Sequence, residues 1–214
     1  MARKGPAVPE PDCQDCPRLA AFRAANRRSL PDFHNGPVAS FGNLDARLLI
    51  VGLAPGLKGA NRTGRPFTGD YAGDLLYATL PKFGFARGPY GRRPDDGMEL
   101  VDCRITNAVR CVPPENKPLT EEIKTCRRFL EAELAAMPRL AMLLALGAIA
   151  HGAALGALKL RKSRYPFGHG SLHDLPNGLT LADSYHCSRY NTNTGRLTEA
   201  MFEGVIAELR RILS

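Results

Sequence analysis

Short apolar runs alternate with amphipathic stretches along most of this chain. The runs that end at Val51 and Leu146 are each followed by a glycine, which is typical of a buried strand that opens into a loop. The predicted strands span residues 46–51, 103–109, 139–146 and 179–184, and the predicted helices span residues 18–26, 69–80, 120–134, 148–158 and 199–213. Strands that alternate with helices favour a parallel sheet covered by helices. The pattern therefore predicts a single α/β domain over residues 1–214, with a central, mostly parallel four-stranded sheet.

Two of the predicted helices begin with capping signals. Asp70 is a candidate N-cap for the helix over residues 69–80, because its carboxylate can accept a hydrogen bond from a free backbone N–H group. Thr120, followed by Glu121 and Glu122, is a second capping signature. These signals predict where the two helices start.

Composition narrows the choice of partner. The 214 residues are 44% hydrophobic, which suffices for a full core, and they carry a net charge of +8. This excess of positive charge favours a polyanionic partner, nucleic acid first. Residues 1–10 carry Arg3 and Lys4 but no apolar segment of a signal peptide, and the apolar run over residues 140–150 is too short to span a bilayer. We expect a cytoplasmic monomer with no membrane partner.

Four of the six cysteines fall into two clusters. Cys13 and Cys16 lie near the start of the chain, and Cys111 and Cys126 are separated by fourteen residues further on. Thiolates are soft ligands that suit an iron–sulfur cluster or zinc, although this spacing differs from that of a zinc ribbon. Buried free thiols are the competing interpretation. The remaining two cysteines, Cys103 and Cys187, mean that the spacing alone does not choose the set.

Three loops that follow predicted strands carry unusual residues, at the sheet edge where parallel α/β folds bind ligands. The first reads Gly-Leu-Ala-Pro-Gly over residues 52–56 and Gly-Ala-Asn-Arg-Thr-Gly-Arg-Pro-Phe-Thr-Gly-Asp over residues 59–70; the second reads Thr-Asn-Ala-Val-Arg-Cys-Val-Pro-Pro-Glu-Asn-Lys over residues 106–117; the third reads Ser-Tyr-His-Cys-Ser-Arg-Tyr-Asn-Thr-Asn-Thr-Gly-Arg-Leu-Thr over residues 184–198. The first loop is neither a Walker loop nor a G-x-G-x-x-G dinucleotide motif, although its glycines allow a ligand to approach the backbone closely.

Taken in order, these motifs closely resemble the uracil-DNA glycosylase superfamily, specifically its iron–sulfur family 5 (type B) enzymes. The resemblance runs from Cys13 to Thr198. It implies that superfamily's three-layer sandwich fold and a DNA glycosylase that hydrolytically excises uracil at the start of base excision repair. It also implies a [4Fe–4S] cluster held by Cys13, Cys16, Cys111 and Cys126, with Cys103 and Cys187 free. Since hydrolysis needs no redox step, the cluster is expected to fasten the N-terminal segment to the loop after Asn107.

The chain departs from the related enzymes at two positions. Leu53 stands where the sister family 4 enzymes carry an acid, and Cys187 stands where the third motif often has proline. A leucine cannot orient water, so we assign the carboxylate role to Asp70 and rank Asp74, one turn further along the helix, second. Leu53 and Ala54 replace bulkier polar groups, so the pocket is also a candidate for hypoxanthine and other deaminated bases.

The resemblance implies a role for each remaining site residue. A glycosylase flips its base out of the duplex, and Phe67 would stack on that base. Asn107 would bind the N3–H and O4 edge of uracil, beside Gly52 and Ala54. His186 would donate a hydrogen bond to O2, and Asp70 would offset the oxocarbenium charge and position water. Each has a plainer alternative: a core aromatic, a capping amide, a structural histidine and a helix cap.

A further set of polar residues in the first and third motifs is predicted to contact DNA phosphates. This set is Asn61, Arg62, Arg65, Arg189, Asn191 and Arg196. Solvated surface arginines are the alternative for any one of them.

Two other functions are compatible with the same residues. One is a nucleic-acid-binding module with a four-cysteine metal site and no catalysis, which would release no free uracil. The other is a zinc-dependent or redox-active enzyme of nucleotide metabolism, which would act on free nucleotides.

Overall fold

Four parallel strands form the centre of the sheet in the computed structural model, which describes residues 5–214. The strands are β1 (Phe41–Gly42), β2 (Leu48–Gly52), β3 (Ala86–Arg87), β4 (Glu99–Leu100), β5 (Cys103–Asn107), β6 (Met142–Leu146), β7 (Leu172–Asp174) and β8 (Thr180–Ser184). The main sheet has the order β1-β5-β2-β6-β8-β7, and β3 pairs with β4 separately. Only the edge strands β1 and β7 pair antiparallel in the main sheet of the described residues.

The predicted fold class is confirmed, with one correction to the strand count. The four central strands β2, β5, β6 and β8 coincide with the four predicted runs, whereas the sheet has six strands. The additional strands β1 and β7 are two and three residues long, which is too short to leave an alternating pattern in the sequence.

Helices cover both faces of the sheet. They are α1 (Pro17–Ser29), α2 (Ala60–Thr63), α3 (Tyr71–Lys82), α4 (Thr120–Ala136), α5 (Ala148–Ala157), α6 (Arg189–Asn193) and α7 (Glu199–Leu213), with 3₁₀ turns at Pro114–Asn116 and Lys162–Arg164. One core cluster contains Leu48 and Ile50 of β2 with Leu76 of α3 and Phe202 of α7, and the other contains Leu49 and Val51 with Leu130 of α4 and Ala154 of α5. Alternate residues of one strand therefore face opposite helical layers, which gives three layers.

The two predicted helix starts have different outcomes. Asp70 caps α3 as expected, because its Oδ1 accepts a hydrogen bond from the Gly73 backbone N–H at 3.2 Å. The capping role of Thr120 is wrong: the N-cap of α4 is Leu119, whose backbone N–H donates to the Glu122 carboxylate at 2.7 Å. Thr120 is instead the first residue inside the helix.

The chain start falls partly outside the described residues. Arg3 and Lys4, and the first four residues of the predicted domain, belong to that part. Within residues 5–214, no helix combines the length and the apolar character that crossing a bilayer requires.

Candidate active site

A cavity of about 790 Å³ opens at the carboxyl ends of the central strands. Its lining includes the predicted residues Ala54, Phe67, Asp70, Asn107, His186, Arg189, Asn191 and Arg196. These residues come from loops after β2, β5 and β8, which are separate in sequence and close together in the sheet. The volume lies within the range typical of ligand pockets.

Phe67 forms a wall of this cavity in a backbone conformation that few side chains adopt. Its φ is +54°, and its ring centroid lies 6.1 Å from that of His186. The hydroxyl of Tyr77 donates to the carbonyl of Pro66 at 2.7 Å, and the hydroxyl of Tyr90 donates to the carbonyl of Phe67 at 3.3 Å. Positive φ at a bulky residue is costly, so the surrounding contacts hold the ring in place.

Asn107, the last residue of β5, has an unpaired polar atom. The residue is 3% exposed, and its amide oxygen has no hydrogen-bond partner within residues 5–214. A buried acceptor without a partner costs about 1–3 kcal/mol. Since Asn107 also lines the cavity, a bound molecule with a suitable N–H group would satisfy that oxygen.

Asp70 combines a capping bond with a cavity position. One carboxylate oxygen caps α3, and burial raises the pKa of the group above its ordinary value, against the opposing effect of the Gly73 hydrogen bond. Both interpretations of Asp70 from the sequence, cap and pocket carboxylate, are therefore compatible with its position. A carboxylate with a raised pKa is a better proton acceptor than an exposed one.

His186 follows β8 and lines the cavity beside Phe67. Burial lowers its pKa, which favours the neutral imidazole. Its backbone carbonyl accepts a hydrogen bond from the Asn191 side chain at 2.8 Å. A neutral imidazole retains one N–H group, which can donate to an oxygen that gains negative charge.

Three glycines make room for the residues of this site. A Cβ atom on Gly52 would lie 2.4 Å from Asn107 Oδ1, and one on Gly59 would lie 2.2 Å from Asp70 Oδ2. A Cβ atom on Gly73 would lie 1.6 Å from the carbonyl oxygen of Phe67. Gly52 is not part of the cavity lining, but its missing side chain is what lets Asn107 and Phe67 approach.

Two of the predicted phosphate-binding arginines lie exposed at the mouth of the cavity. The guanidinium of Arg189 lies 5.3 Å from the centroid of the Tyr71 ring, and that of Arg196 lies 4.6 Å from that of Tyr185. Neither arginine forms an ion pair with an acidic group among residues 5–214. Their charges are therefore available to an anionic ligand.

Two predicted phosphate contacts are corrected by the structure. Arg65 is 5% exposed, and its guanidinium donates to both oxygens of Asp96, at 2.8 and 2.7 Å. Asn61 is 1% exposed and donates to Asn35. Burial and existing bonds keep these two side chains from phosphates. Asn191 lines the cavity and uses one of its two side-chain N–H groups for the His186 carbonyl, whereas Arg62 is exposed but does not line the cavity.

Asp74, the second-ranked carboxylate, does not reach the cavity that Asp70 lines. It lies outside the cavity lining, and its carboxylate pairs with Arg92 at 2.6 Å. One further turn of α3 therefore carries this side chain away from the site.

Several residues of the cavity wall were missed by the sequence analysis. Phe167 and Ile149 line the cavity, although neither belongs to one of the three motifs. Phe167 packs 6.2 Å from Tyr185 and 5.7 Å from His151, centroid to centroid. Tyr185 does lie in the third motif, directly before His186, and this position could have identified it as a cavity residue.

A second, small cavity brings the four cysteines of the two clusters together. Cys13, Cys16, Cys111 and Cys126 all line it, whereas Cys103 and Cys187 are buried elsewhere. Arg23 approaches the site, with one guanidinium nitrogen 3.5 Å from Cys111 Sγ and the other 2.7 Å from the Cys13 carbonyl. Burial raises the pKa of all four thiols, to about 12 for Cys16 and about 11 for Cys111. A bound metal centre would offset this penalty on the thiolates.

The match to known proteins agrees with this geometry. Residues 39–210 match the model of the uracil DNA glycosylase superfamily. The chain belongs to this superfamily. Within it, the chain is 46% identical over 205 residues to the type-5 uracil-DNA glycosylase of Thermus thermophilus, covering 94% of this chain and 93% of the relative.

Two further type-5 relatives support the assignment to that branch of the superfamily. The type-5 uracil-DNA glycosylase of Mycobacterium leprae is 40% identical over 210 residues, covering 94% of this chain and 91% of the relative. That of Pyrobaculum aerophilum is 40% identical over 192 residues, covering 87% and 83%. The uracil-DNA glycosylase resemblance, including its type-5 branch, is therefore confirmed.

Proposed function

We propose that this protein is a monofunctional uracil-DNA glycosylase that flips uracil out of DNA and hydrolyses its N-glycosidic bond, initiating base excision repair. The observation that carries this proposal is the single cavity in which Phe67, Asp70, Asn107 and His186 meet. It combines a stacking surface and a base-edge amide, which suit recognition of a flipped base, with a hydrogen-bond donor and a carboxylate, which suit cleavage of its glycosidic bond.

Recognition of uracil rests on Asn107 and Phe67. The unpaired amide oxygen of Asn107 would accept the N3–H of uracil, and its NH₂ group would donate to O4. Cytosine presents the opposite donor and acceptor pattern at these positions, so the same amide would discriminate against it. Phe67 would stack on the base, for about 1–3 kcal/mol.

Bond cleavage rests on His186 and Asp70. The neutral His186 would donate to O2 of uracil as negative charge develops there. The Asp70 carboxylate would offset the positive charge on the sugar and direct water at its anomeric carbon. The water proton passes to Asp70 as the new C–O bond forms, and uracil leaves as its anion.

DNA is held by cations at the cavity mouth. Arg189 and Arg196 are the predicted phosphate contacts that remain exposed at that mouth, and Arg62 adds an exposed cation on α2. Their positions suit a strand that carries the flipped nucleotide into the cavity.

The test is release of free uracil from an oligonucleotide with one uracil. The expected result is one abasic site per uracil, with no strand cleavage by the protein alone. Binding without release would favour the non-catalytic nucleic-acid-binding module. Equal activity on free deoxyuridine would favour the enzyme of nucleotide metabolism.

Hypoxanthine is a second proposed substrate of the same cavity. Its N1–H and O6 present a donor and an acceptor side by side, as uracil does at N3–H and O4, so Asn107 could bind either edge. The cavity of about 790 Å³ leaves room for the larger base beside Leu53 and Ala54. Matched oligonucleotides with uracil, hypoxanthine, xanthine or 5-hydroxymethyluracil, scored for abasic sites, test this range.

The four clustered cysteines would hold a [4Fe–4S] cluster. All four line one small cavity, so their thiolates would form a closed set of soft ligands. The spacing of Cys111 and Cys126 differs from that of a zinc ribbon. The cluster would supply a cross-link rather than chemistry.

Absorption near 400 nm and iron content test the cluster. Cys126→Ala should lose iron and soluble yield, whereas Cys103→Ala, at a buried cysteine outside the cavity, should keep both. Full iron content in Cys126→Ala would contradict the ligand set.

A further inference from the structure

His169 lies beside the segment that ends in His186 and belongs to none of the three motifs. Its Nδ1 accepts a hydrogen bond from the backbone N–H of Tyr185 at 3.2 Å. Its ring also stacks on the Tyr185 ring, with centroids 5.0 Å apart and planes inclined by 19°. One imidazole therefore contacts both the backbone and the side chain of the residue before His186.

Several hydrogen bonds fix the backbone of this segment. The Gly147 N–H donates to the Ser184 carbonyl at 2.8 Å, and the Asn191 side chain donates to the His186 carbonyl at 2.8 Å. Tyr185, between them, is held at both its polar groups: its carbonyl accepts from the Ser184 hydroxyl at 2.9 Å, and its N–H donates to His169. His169 therefore makes the bond to the N–H group of the residue before His186.

The His186 ring itself has no comparable support. Within residues 5–214, no hydrogen bond reaches either of its ring nitrogens, and its aromatic contact is with Phe67. In many active sites a carboxylate or carbonyl orients the working histidine through its second ring nitrogen. Here the backbone that carries the ring must set its direction instead.

We propose that His169 is a positioning residue for His186, and that it acts by accepting the Tyr185 N–H so that the imidazole of His186 points at the base. This inference rests on the proposed function, because it needs His186 to act on a bound base. His169 must be neutral at Nδ1 to accept this bond, and burial lowers the pKa of His169, which favours that state.

Three substitutions separate the hydrogen bond from the ring stack. His169→Asn keeps an acceptor close to the place of Nδ1 and loses the ring, whereas His169→Phe keeps the ring and loses the acceptor. His169→Gln moves the amide to the place of Nε2, and it carries the comparison if the phenylalanine variant does not fold. Melting temperature and circular dichroism establish that each variant is folded.

Single-turnover excision of uracil and DNA affinity are then measured in each variant. His169→Phe and His169→Gln should slow excision about 10- to 100-fold, with affinity for uracil-containing DNA nearly unchanged, since small misplacements of a catalytic group cost that much. His169→Asn should stay within about 3-fold of the wild type, because the hydrogen bond is retained.

The decisive measurement repeats the substitutions in a His186→Ala background. If His169 acts through His186, His169→Phe should have no further effect there. The inference would be overturned if His169→Phe slowed excision equally in both backgrounds. It would also be overturned if His169→Phe did not slow excision at all while the wild type is active. Either result would leave the proposed function standing. A folded wild type that releases no uracil would overturn the proposed function and this inference with it.

Discussion

Asp70 caps α3 with one carboxylate oxygen and lines the cavity, so a substitution there tests two roles at once. Asparagine keeps an oxygen that can cap the helix and removes the negative charge. Asp70→Asn should therefore fold normally and slow single-turnover excision about 10²-fold or more. Affinity for uracil-containing DNA should change little, because phosphate contacts dominate binding.

Two comparisons complete that experiment. His186→Ala should show a similar loss, about 3 kcal/mol, by removing the donor at O2. Asp74→Asn is the matched carboxylate control, since Asp74 pairs with Arg92 outside the cavity, and it should excise uracil normally. A folded Asp70→Asn with wild-type excision would falsify the assigned role of this carboxylate.

The pH dependence of excision should show one acidic limb. The mechanism needs Asp70 ionised and His186 neutral, so both groups act in their deprotonated forms. Burial raises the pKa of Asp70 above its ordinary 3.8 and lowers that of His186 below its ordinary 6.5. Activity should therefore fall with acid between these two values and stay level from about pH 6.5 to 8.

Single-turnover rates across the pH range check this expectation. A rate that rises with acidity below about pH 6.5 would mean that the imidazolium of His186 is the working form. Asp70→Asn should lower the level region and leave only the limb that belongs to His186.

At the level of elements, a buried ion pair joins the first motif to the segment before β4. Arg65 and Asp96 are 5% and 2% exposed at their side chains, and the backbone N–H groups of Gly91 and Met98 also donate to the Asp96 carboxylate. The bond with Arg65 holds the pKa of Asp96 well below its usual range. This pair anchors the loop that carries Phe67, two residues after Arg65.

Asp96→Asn should therefore destabilise the protein by about 3–5 kcal/mol, because it leaves the Arg65 charge buried without its partner. Glu99→Gln is the control: it breaks the exposed Arg87–Glu99 pair nearby and should cost less than about 1 kcal/mol. Urea unfolding at neutral pH measures both. Equal losses of stability in the two variants would mean that burial of the Arg65–Asp96 pair does not increase its contribution.

Because of the same ion pair, the free energy of unfolding should fall more steeply with acid in the wild type than in Asp96→Asn. A carboxyl group with a depressed pKa stabilises the fold above its unfolded pKa, near 4, and this stabilisation is lost as pH falls below that value. The difference in unfolding free energy between the two proteins should therefore shrink from about pH 5 towards about pH 2.

Hydrophobic periodicity predicted the strands and helices that are long and bury a whole face. The central strands and helices α3, α4, α5 and α7 appear where the pattern places them, because each buries a face large enough to shape the sequence. Strands β1 and β7 and the short helix α2 leave no such pattern. The cap of α4 was missed because Glu122 binds the Leu119 backbone without help from Thr120.

The site was predictable only in part, and for a physical reason. Motif spacing indicates which loops meet at a sheet edge, so Phe67, Asp70, Asn107 and His186 could be named. Spacing does not indicate which polar group an individual side chain meets. The motif therefore predicts a phosphate contact at Arg65, whereas its guanidinium pairs with Asp96, thirty-one residues away.

For the whole molecule, the net charge of +8 predicts how DNA binding responds to salt. Binding should weaken steeply as salt rises and depend little on sequence, because each phosphate contact releases counterions. Arg189→Ala should lower affinity about equally across sequences and reduce the slope of log K against log salt by about 1. Arg65→Lys is the comparison: Arg65 is buried, so this slope should stay unchanged.

Titrations of one oligonucleotide at several salt concentrations measure these slopes. A wild-type slope near zero would contradict a phosphate-binding surface. A reduced slope in Arg65→Lys would mean that its ion pair opens when DNA binds.

The three glycines packed against the cavity residues limit which substitutions this sequence can accept. Gly52, Gly59 and Gly73 perform no chemistry, yet a single added methyl group at each would collide with Asn107, Asp70 or Phe67. In a library of all single substitutions selected for repair in cells, these three positions should tolerate as little change as the residues they accommodate. Gly204, where an added Cβ meets nothing within 4 Å, should accept alanine freely. Selection for this activity should therefore keep these side-chain-free positions as strictly as it keeps the reactive groups.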